Sequence, residues 1–125
     1  MKILVVDDVK GWRDYHSKII GDLFSSAEIY TADSAKDAYS LLLGHNNFPF
    51  DIILTDMQME TDYEPDYAGE WLIKEIKKLK NYYKTKIVII SAAYNINYIA
   101  QNYGVDYIRK STARAFPDSY KFLVD

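Results

Sequence analysis

The chain has 125 residues, 49% of them hydrophobic and 26% charged, with a net charge of −3 and no cysteine. That size and composition suit one soluble domain built on one core, so a single domain over 1–125 is expected. The negative balance speaks against a nucleic-acid binder, the lack of cysteine removes disulfide and thiolate chemistry, and no apolar run approaches the ~20 residues of a membrane span.

Met1-Lys2-Ile3-Leu4-Val5-Val6 is too short and too soon charged for a signal peptide, so a cytoplasmic location is the default expectation. Lys2 to Val6 is also the first apolar run, halted by Asp7-Asp8, and reads as a buried strand. Trp12, Tyr15, Ile19, Leu23 and Phe24 then recur at helical spacing, which predicts an amphipathic helix. Ala27 to Ala32 is a second strand. Ser34 with Asp37 makes a weak capping box for a helix through Leu43, which Gly44 suits as an end.

Phe50 to Thr55 is a third strand, stopping at Asp56, and a polar loop runs on to about Ala68. Leu72, Ile73, Ile76 and Leu79 mark a third helix with a lysine-rich outer face. Ile87 to Ile90 is a fourth strand ending at Ser91. Ile96, Ile99, Ala100 and Tyr103 predict a short fourth helix, and Val105 to Ile108 a fifth strand before Lys110. Phe116-Pro117 breaks helical continuity, so the last helix is expected to begin near Pro117 and to be short. The twelve tyrosines read as half-buried packing groups with wet hydroxyls. Alternating apolar strands and helices predict an α/β fold, a doubly wound parallel sheet of five strands with helices on both faces.

The polar residues collect where strands end. Asp7 and Asp8 close the first, Asp56 the third, Ser91 the fourth, and Lys110 follows the fifth. Open α/β sheets bind ligands beyond the carboxyl ends of their strands, so these positions should converge. Three adjoining carboxylates repel one another unless a cation is present, and a hard divalent ion such as Mg²⁺ relieves this. Asp56, ending the central strand, is then a candidate carboxylate nucleophile able to form an aspartyl phosphate. Lys110 can neutralise charge on the phosphoryl group, and Ser91 can donate a hydrogen bond to it.

Val5-Val6-Asp7-Asp8, Leu54-Thr55-Asp56-Met57-Gln58-Met59, Ile89-Ile90-Ser91-Ala92 and Tyr107-Ile108-Arg109-Lys110 together resemble the response-regulator receiver family (CheY-like) of two-component signalling. The resemblance spans Lys2 to about Lys110. It implies a flavodoxin-like sheet in the order 2-1-3-4-5, with Asp56 as phosphoacceptor and a Mg²⁺ cofactor. It further implies that Asp8 binds the metal directly, Asp7 mostly through water, and Gln58 through its backbone carbonyl. Ser91 would be the switch hydroxyl and Tyr107 the switch aromatic. The implied partners are a histidine kinase or histidine phosphotransfer protein as donor and an unidentified output protein. With no output domain in the chain, it would act through a partner or as a phosphate relay. The molecule would be a switch rather than an enzyme, promoting only its own phosphorylation and dephosphorylation.

Three features depart from the family pattern. Gly69 arrives about five residues late, leaving Glu60-Thr61-Asp62-Tyr63-Glu64-Pro65-Asp66-Tyr67 beside the expected site. That stretch reads as a solvated loop, or more sharply as a lid or partner-reading element. Ser111 stands where the family has a proline after a cis bond; a cis bond before serine would cost ~3–4 kcal/mol, so a trans bond and a rearranged loop are expected. Tyr94, Tyr98, Tyr103 and Tyr120 are expected to crowd the surface that the family uses for signalling or dimerisation, so a homodimer is one use of it. His16 and His45 lack metal-ligand spacing and read as structural or solvated.

Two rival readings stand beside this one. A degenerate receiver would serve only for binding or dimerisation, against which the full acidic, hydroxyl and lysine set argues. A flavodoxin-like carrier or haloacid-dehalogenase-like phosphatase would need a Ser/Thr/Gly-rich loop after the first strand, where Val9-Lys10-Gly11-Trp12 stands, or an aspartate at Gln58.

Overall fold

The computed structural model describes residues 1–59 and 67–124. Five strands, β1 (Lys2–Val6), β2 (Glu28–Ala32), β3 (Ile52–Thr55), β4 (Lys86–Ser91) and β5 (Asp106–Arg109), form one parallel sheet in the order β2-β1-β3-β4-β5. This is the flavodoxin-like arrangement expected from the sequence. The helices are α1 (Lys10–Leu23), α2 (Ala35–Gly44), α3 (Ala68–Lys78), α4 (Ile96–Tyr103) and α5 (Lys110–Ala115), with 3₁₀ turns at Lys80–Tyr82 and Pro117–Val124.

Successive strand residues point to opposite faces, which divides the core into two layers. Leu4, Val6, Ile53 and Ile89 face the buried residues of α2, α3 and α4, including Leu42, Leu72, Ile76 and Ile99. Ile3, Val5, Leu54, Val88 and Ile108 face Ile20 of α1, Ala113 of α5, and Tyr120 and Leu123 of the last 3₁₀ segment. Because both faces are covered, the three inner strands read as continuous apolar runs.

Local signals act as expected at two helix ends. Ser34 Oγ accepts the Asp37 N–H at 3.1 Å, capping α2. Gly104 ends α4 in the left-handed conformation, at φ 65°, which only glycine enters without a Cβ penalty.

The C-terminal part differs from expectation. The Lys110–Ser111 bond is trans, but no irregular loop follows, because α5 starts at Lys110 itself. Phe116 then leaves the helical region (φ −134°, ψ 83°), as a residue before proline must, and the chain tightens into 3₁₀ turns from Pro117. The expected stop at Phe116-Pro117 is present; the helix before it was missed. Tyr120 also departs from its expected surface position and is fully buried against α1. Tyr94 and Tyr98 are exposed, and Tyr103 donates to Glu70 at 2.9 Å. The acidic loop expectation falls on residues 60–66, which lie outside the described residues. No helix among the described residues is long and apolar enough to cross a membrane.

Candidate functional site

Sheet pairing places the acidic residues side by side. The Asp7 N–H continues the β1–β2 ladder to Ala32 O at 3.2 Å, and the Asp56 N–H bonds Val6 O at 2.9 Å. These backbone bonds fix both carboxylates at the carboxyl edge of adjacent strands. Oxygens from Asp7, Asp8 and Asp56 all lie within 4.8 Å of one another.

Lys110, the first residue of α5, reaches back across β4 and β3. Its Nζ donates to Asp56 Oδ2 at 2.8 Å and lies 3.1 Å from Asp7 Oδ2. Starting the helix at Lys110 leaves that reach intact with Ser111 after it. The ammonium also sits 5.0 Å from the centre of the Trp12 ring, a cation–π contact that shields it from solvent. Asp56 Oδ1 is held from the other side by the Met57 N–H at 2.7 Å, with the Gln58 N–H more distant at 3.4 Å. Asp7 Oδ1 accepts the Val9 N–H at 2.9 Å, and Arg13 donates to the Asp7 carbonyl at 2.8 Å.

Burial and the shared Lys110 ammonium together set how Asp56, Asp7 and Lys110 titrate. Burial pushes Asp56 up to about 6, against the pull of the Lys110 hydrogen bond and charge, and the negative charge of Asp7 adds to the rise. Burial would also raise Asp7, but the His16 imidazole, the Val9 N–H and Lys110 together hold it below the ordinary carboxylate range. Burial would lower Lys110, yet the hydrogen bond and charge of Asp56, joined by Asp7, keep it above the ordinary lysine value. The lysine is therefore a permanent cation at neutral pH.

The donor set suits a hard divalent cation. All candidate ligands are oxygens, Asp7 and Asp56 share the single Lys110 ammonium, and the fully buried Asp7 Oδ2 makes no hydrogen bond despite its ion pair. A small, oxygen-seeking ion answers each of these deficits.

The other two expected residues, Ser91 and Tyr107, lie on the neighbouring strands β4 and β5. Ser91 ends β4, is buried, and accepts the Ala93 N–H at 3.1 Å, which leaves its hydroxyl proton available to donate. Tyr107 lies on β5 opposite Ile89, 40% exposed, with the Arg109 guanidinium 5.9 Å from its ring centre. Sequence reasoning missed Trp12 and Arg13 as neighbours of the site, and it left His16 as structural or solvated. His16 is fully buried, with Nε2 3.8 Å from Asp7 Oδ2 and Nδ1 2.6 Å from the Tyr120 hydroxyl. A histidine inside an otherwise apolar helical stripe was the one available signal.

A family model described as the response regulator receiver domain matches residues 3–115. No curated protein matches. Among solved structures, the chain is similar to the signal receiver domain of a DNA binding response regulator from Colwellia psychrerythraea 34H, at 22% identity over 99% of this chain and 98% of that one, with TM-score 0.77. It is similar to the response regulatory domain of mrkE from Klebsiella pneumoniae at 23% identity, 98% and 94% coverage and TM-score 0.76. It is also similar to the chemotaxis response regulator CheY4 of Vibrio cholerae at 21% identity, 87% and 85% coverage and TM-score 0.71. At these identities the likeness speaks for the fold.

Proposed function

This chain belongs to the response regulator receiver domain family, and from that premise we propose that Asp56 accepts a phosphoryl group in a Mg²⁺-dependent reaction that switches a partner-binding surface. The observation that carries this reading is the contact of Lys110 Nζ with Asp56 Oδ2 at 2.8 Å, beside two further carboxylates at the strand edge. A buried nucleophile with a fixed cation at its side is what phosphoryl transfer needs from a protein, since the reaction depends mainly on positioning and charge neutralisation.

In the transfer, an Asp56 carboxylate oxygen forms a bond to phosphorus as the bond from phosphorus to the donor breaks, and the donor leaves with that electron pair. The Met57 N–H orients the carboxylate through Oδ1. Lys110 stands where it can neutralise charge on the transferred group. Asp7, Asp8, Asp56 and the Gln58 carbonyl are the groups that would hold Mg²⁺, whose contribution when bound is charge neutralisation at the phosphoryl oxygens. A histidine kinase or histidine phosphotransfer protein would serve as donor.

Ser91 and Tyr107 carry the switch in this reading. The phosphoryl group draws the Ser91 hydroxyl toward it, and Tyr107 turns inward from its half-exposed position. A local charge change thus biases a two-state packing element and alters the surface offered to an output protein.

Incubation with Mg²⁺ and acetyl phosphate, followed by intact-mass measurement, is the test. One added phosphoryl mass that hydroxylamine removes supports the reading; no gain in mass with donor and metal in excess contradicts it. Lys110→Ala should slow phosphoryl uptake roughly 10²–10³-fold, the usual effect of deleting one fixed charge-stabilising group. A time course at wild-type rate would exclude Lys110 from the transfer.

A further inference from the structure

His16 is a buried titratable group beside the acidic pocket that the proposed transfer does not use. It comes from α1, lies fully buried, and stacks on Trp12 with ring centres 5.3 Å apart and planes at 28°. Its Nδ1 lies 2.6 Å from the hydroxyl of Tyr120, a residue 104 positions away in the last 3₁₀ segment. Its Nε2 points the other way, 3.8 Å from Asp7 Oδ2. Neither of those two atoms has a hydrogen-bond partner, although both are buried.

The chemistry of the pair selects one tautomer. A tyrosine hydroxyl can donate to Nδ1 or accept from it. If the imidazole carried its proton on Nδ1, the Nε2 lone pair would face a carboxylate oxygen with no water access, lone pair against negative charge. With Tyr120 donating to Nδ1, the proton sits on Nε2 and faces Asp7. At 3.8 Å this is too long for a hydrogen bond, so its effect is that of an aimed dipole. Trp12 closes the arrangement, since the same indole stacks on His16 and lies 5.0 Å from Lys110 Nζ. Asp7 Oδ1 is already taken by the Val9 N–H, so His16 and Lys110 are the groups that set the direction of Oδ2.

We propose that His16 is a positioning residue for the acidic pocket: Tyr120 fixes its Nε2–H tautomer, and that dipole holds the Asp7 carboxylate in the orientation that receives the divalent cation. The proposal rests on the reading of Asp7 as part of a cation site. It also ties the Pro117–Val124 segment to that site through one side-chain chain, Tyr120 to His16 to Asp7. Groups that hold a metal-binding side chain from behind commonly change metal affinity by 10–100-fold when removed.

Tyr120→Phe deletes one oxygen and keeps the ring. Two readouts are needed. Histidine ¹⁵N NMR on the metal-free protein reports the tautomer, and Mg²⁺ titration followed by calorimetry reports affinity. The wild type should show His16 as a single Nε2–H tautomer at neutral pH. Tyr120→Phe should mix the two tautomers and weaken Mg²⁺ binding several-fold, and His16→Gln should weaken it roughly 10-fold. The double variant should lose no more than His16→Gln alone, because Tyr120 acts through His16. A purely packing role would lower thermal stability and leave the Mg²⁺ affinity of the folded protein unchanged, and that result overturns the proposal. So does a wild-type spectrum with the proton on Nδ1. Should the wild type bind no Mg²⁺, the cation reading of the pocket fails, and the positioning role falls with it; the tautomer measurement distinguishes the two failures, because it needs no metal.

Discussion

Asp56→Asn is expected to take up no phosphoryl label at all, and in metal-free buffer above pH 6 to be more stable than the wild type. The first half follows from the chemistry: a neutral amide is not the carboxylate nucleophile that an aspartyl phosphate requires. The second half follows from the electrostatics of the pocket. The carboxyl is nearly buried and its folded-state pKa of about 6 lies above the ordinary 3.8. Its protonated form therefore favours the fold, and this contribution is fully present below about pH 3.8 and lost as pH rises through about 6. The rise corresponds to about 3 kcal/mol against the ionised wild type. Asparagine keeps the volume and recovers part of this, while giving up the charge-assisted bond to Lys110, so a net gain of roughly 1–2 kcal/mol is expected. Urea unfolding in the presence of a chelator at pH 5 and pH 8 should show the gap in favour of Asp56→Asn widening at the higher pH. A variant less stable than wild type at pH 8, or one that still takes label, would contradict the account of the site.

The second large effect is structural. Gly69→Ala is expected to destabilise the protein by at least about 3 kcal/mol, a fall in melting temperature of roughly 10 °C. A Cβ at this position would overlap the Asp56 carbonyl oxygen and lie 2.6 Å from Met57 Cα. Those obstacles are backbone, so neither can rotate away. The Gly69 N–H bonds Met57 O at 3.0 Å, so the first turn of α3 lies directly on the chain leaving β3. Any shift that relieves the clash moves Asp56 itself. Gly11→Ala is the control, because nothing lies within 4 Å of the added carbon and the site is near the start of a helix. It should stay within about 1 kcal/mol of wild type. A melting temperature unchanged by Gly69→Ala would mean that α3 and Asp56 are not in the contact described.

What the sequence made legible was set by periodicity and by the ends of apolar runs. Val6, Thr55 and Ser91 close strands where an apolar run gives way to a charged or polar residue, and that pattern was readable one residue at a time. The approach of Lys110 to Asp56 crosses 54 residues and depends on the sheet order, so local pattern alone could not give it. The short helix α5 was hidden by Pro117, whose effect on Phe116 is real but ends a helix instead of starting the only one. Tyr120 was misplaced for the same reason: once α5 stops early, the 3₁₀ segment folds back onto α1 and carries the tyrosine inward. His16 sits in register with the apolar face of α1, so its position in the core was open to a helical reading, but its partner Tyr120 was not. Gly69 announced itself as a late glycine, and the close approach to Asp56 supplies its physical cause.

The most direct test of the central claim is the position of the label. Protein phosphorylated with acetyl phosphate and Mg²⁺ can be reduced with borohydride, which converts an aspartyl phosphate into homoserine, and then mapped by peptide mass. The account predicts homoserine at position 56 and nowhere else. Phosphate recovered intact on a serine or histidine, or homoserine at position 7 or 8, would contradict it.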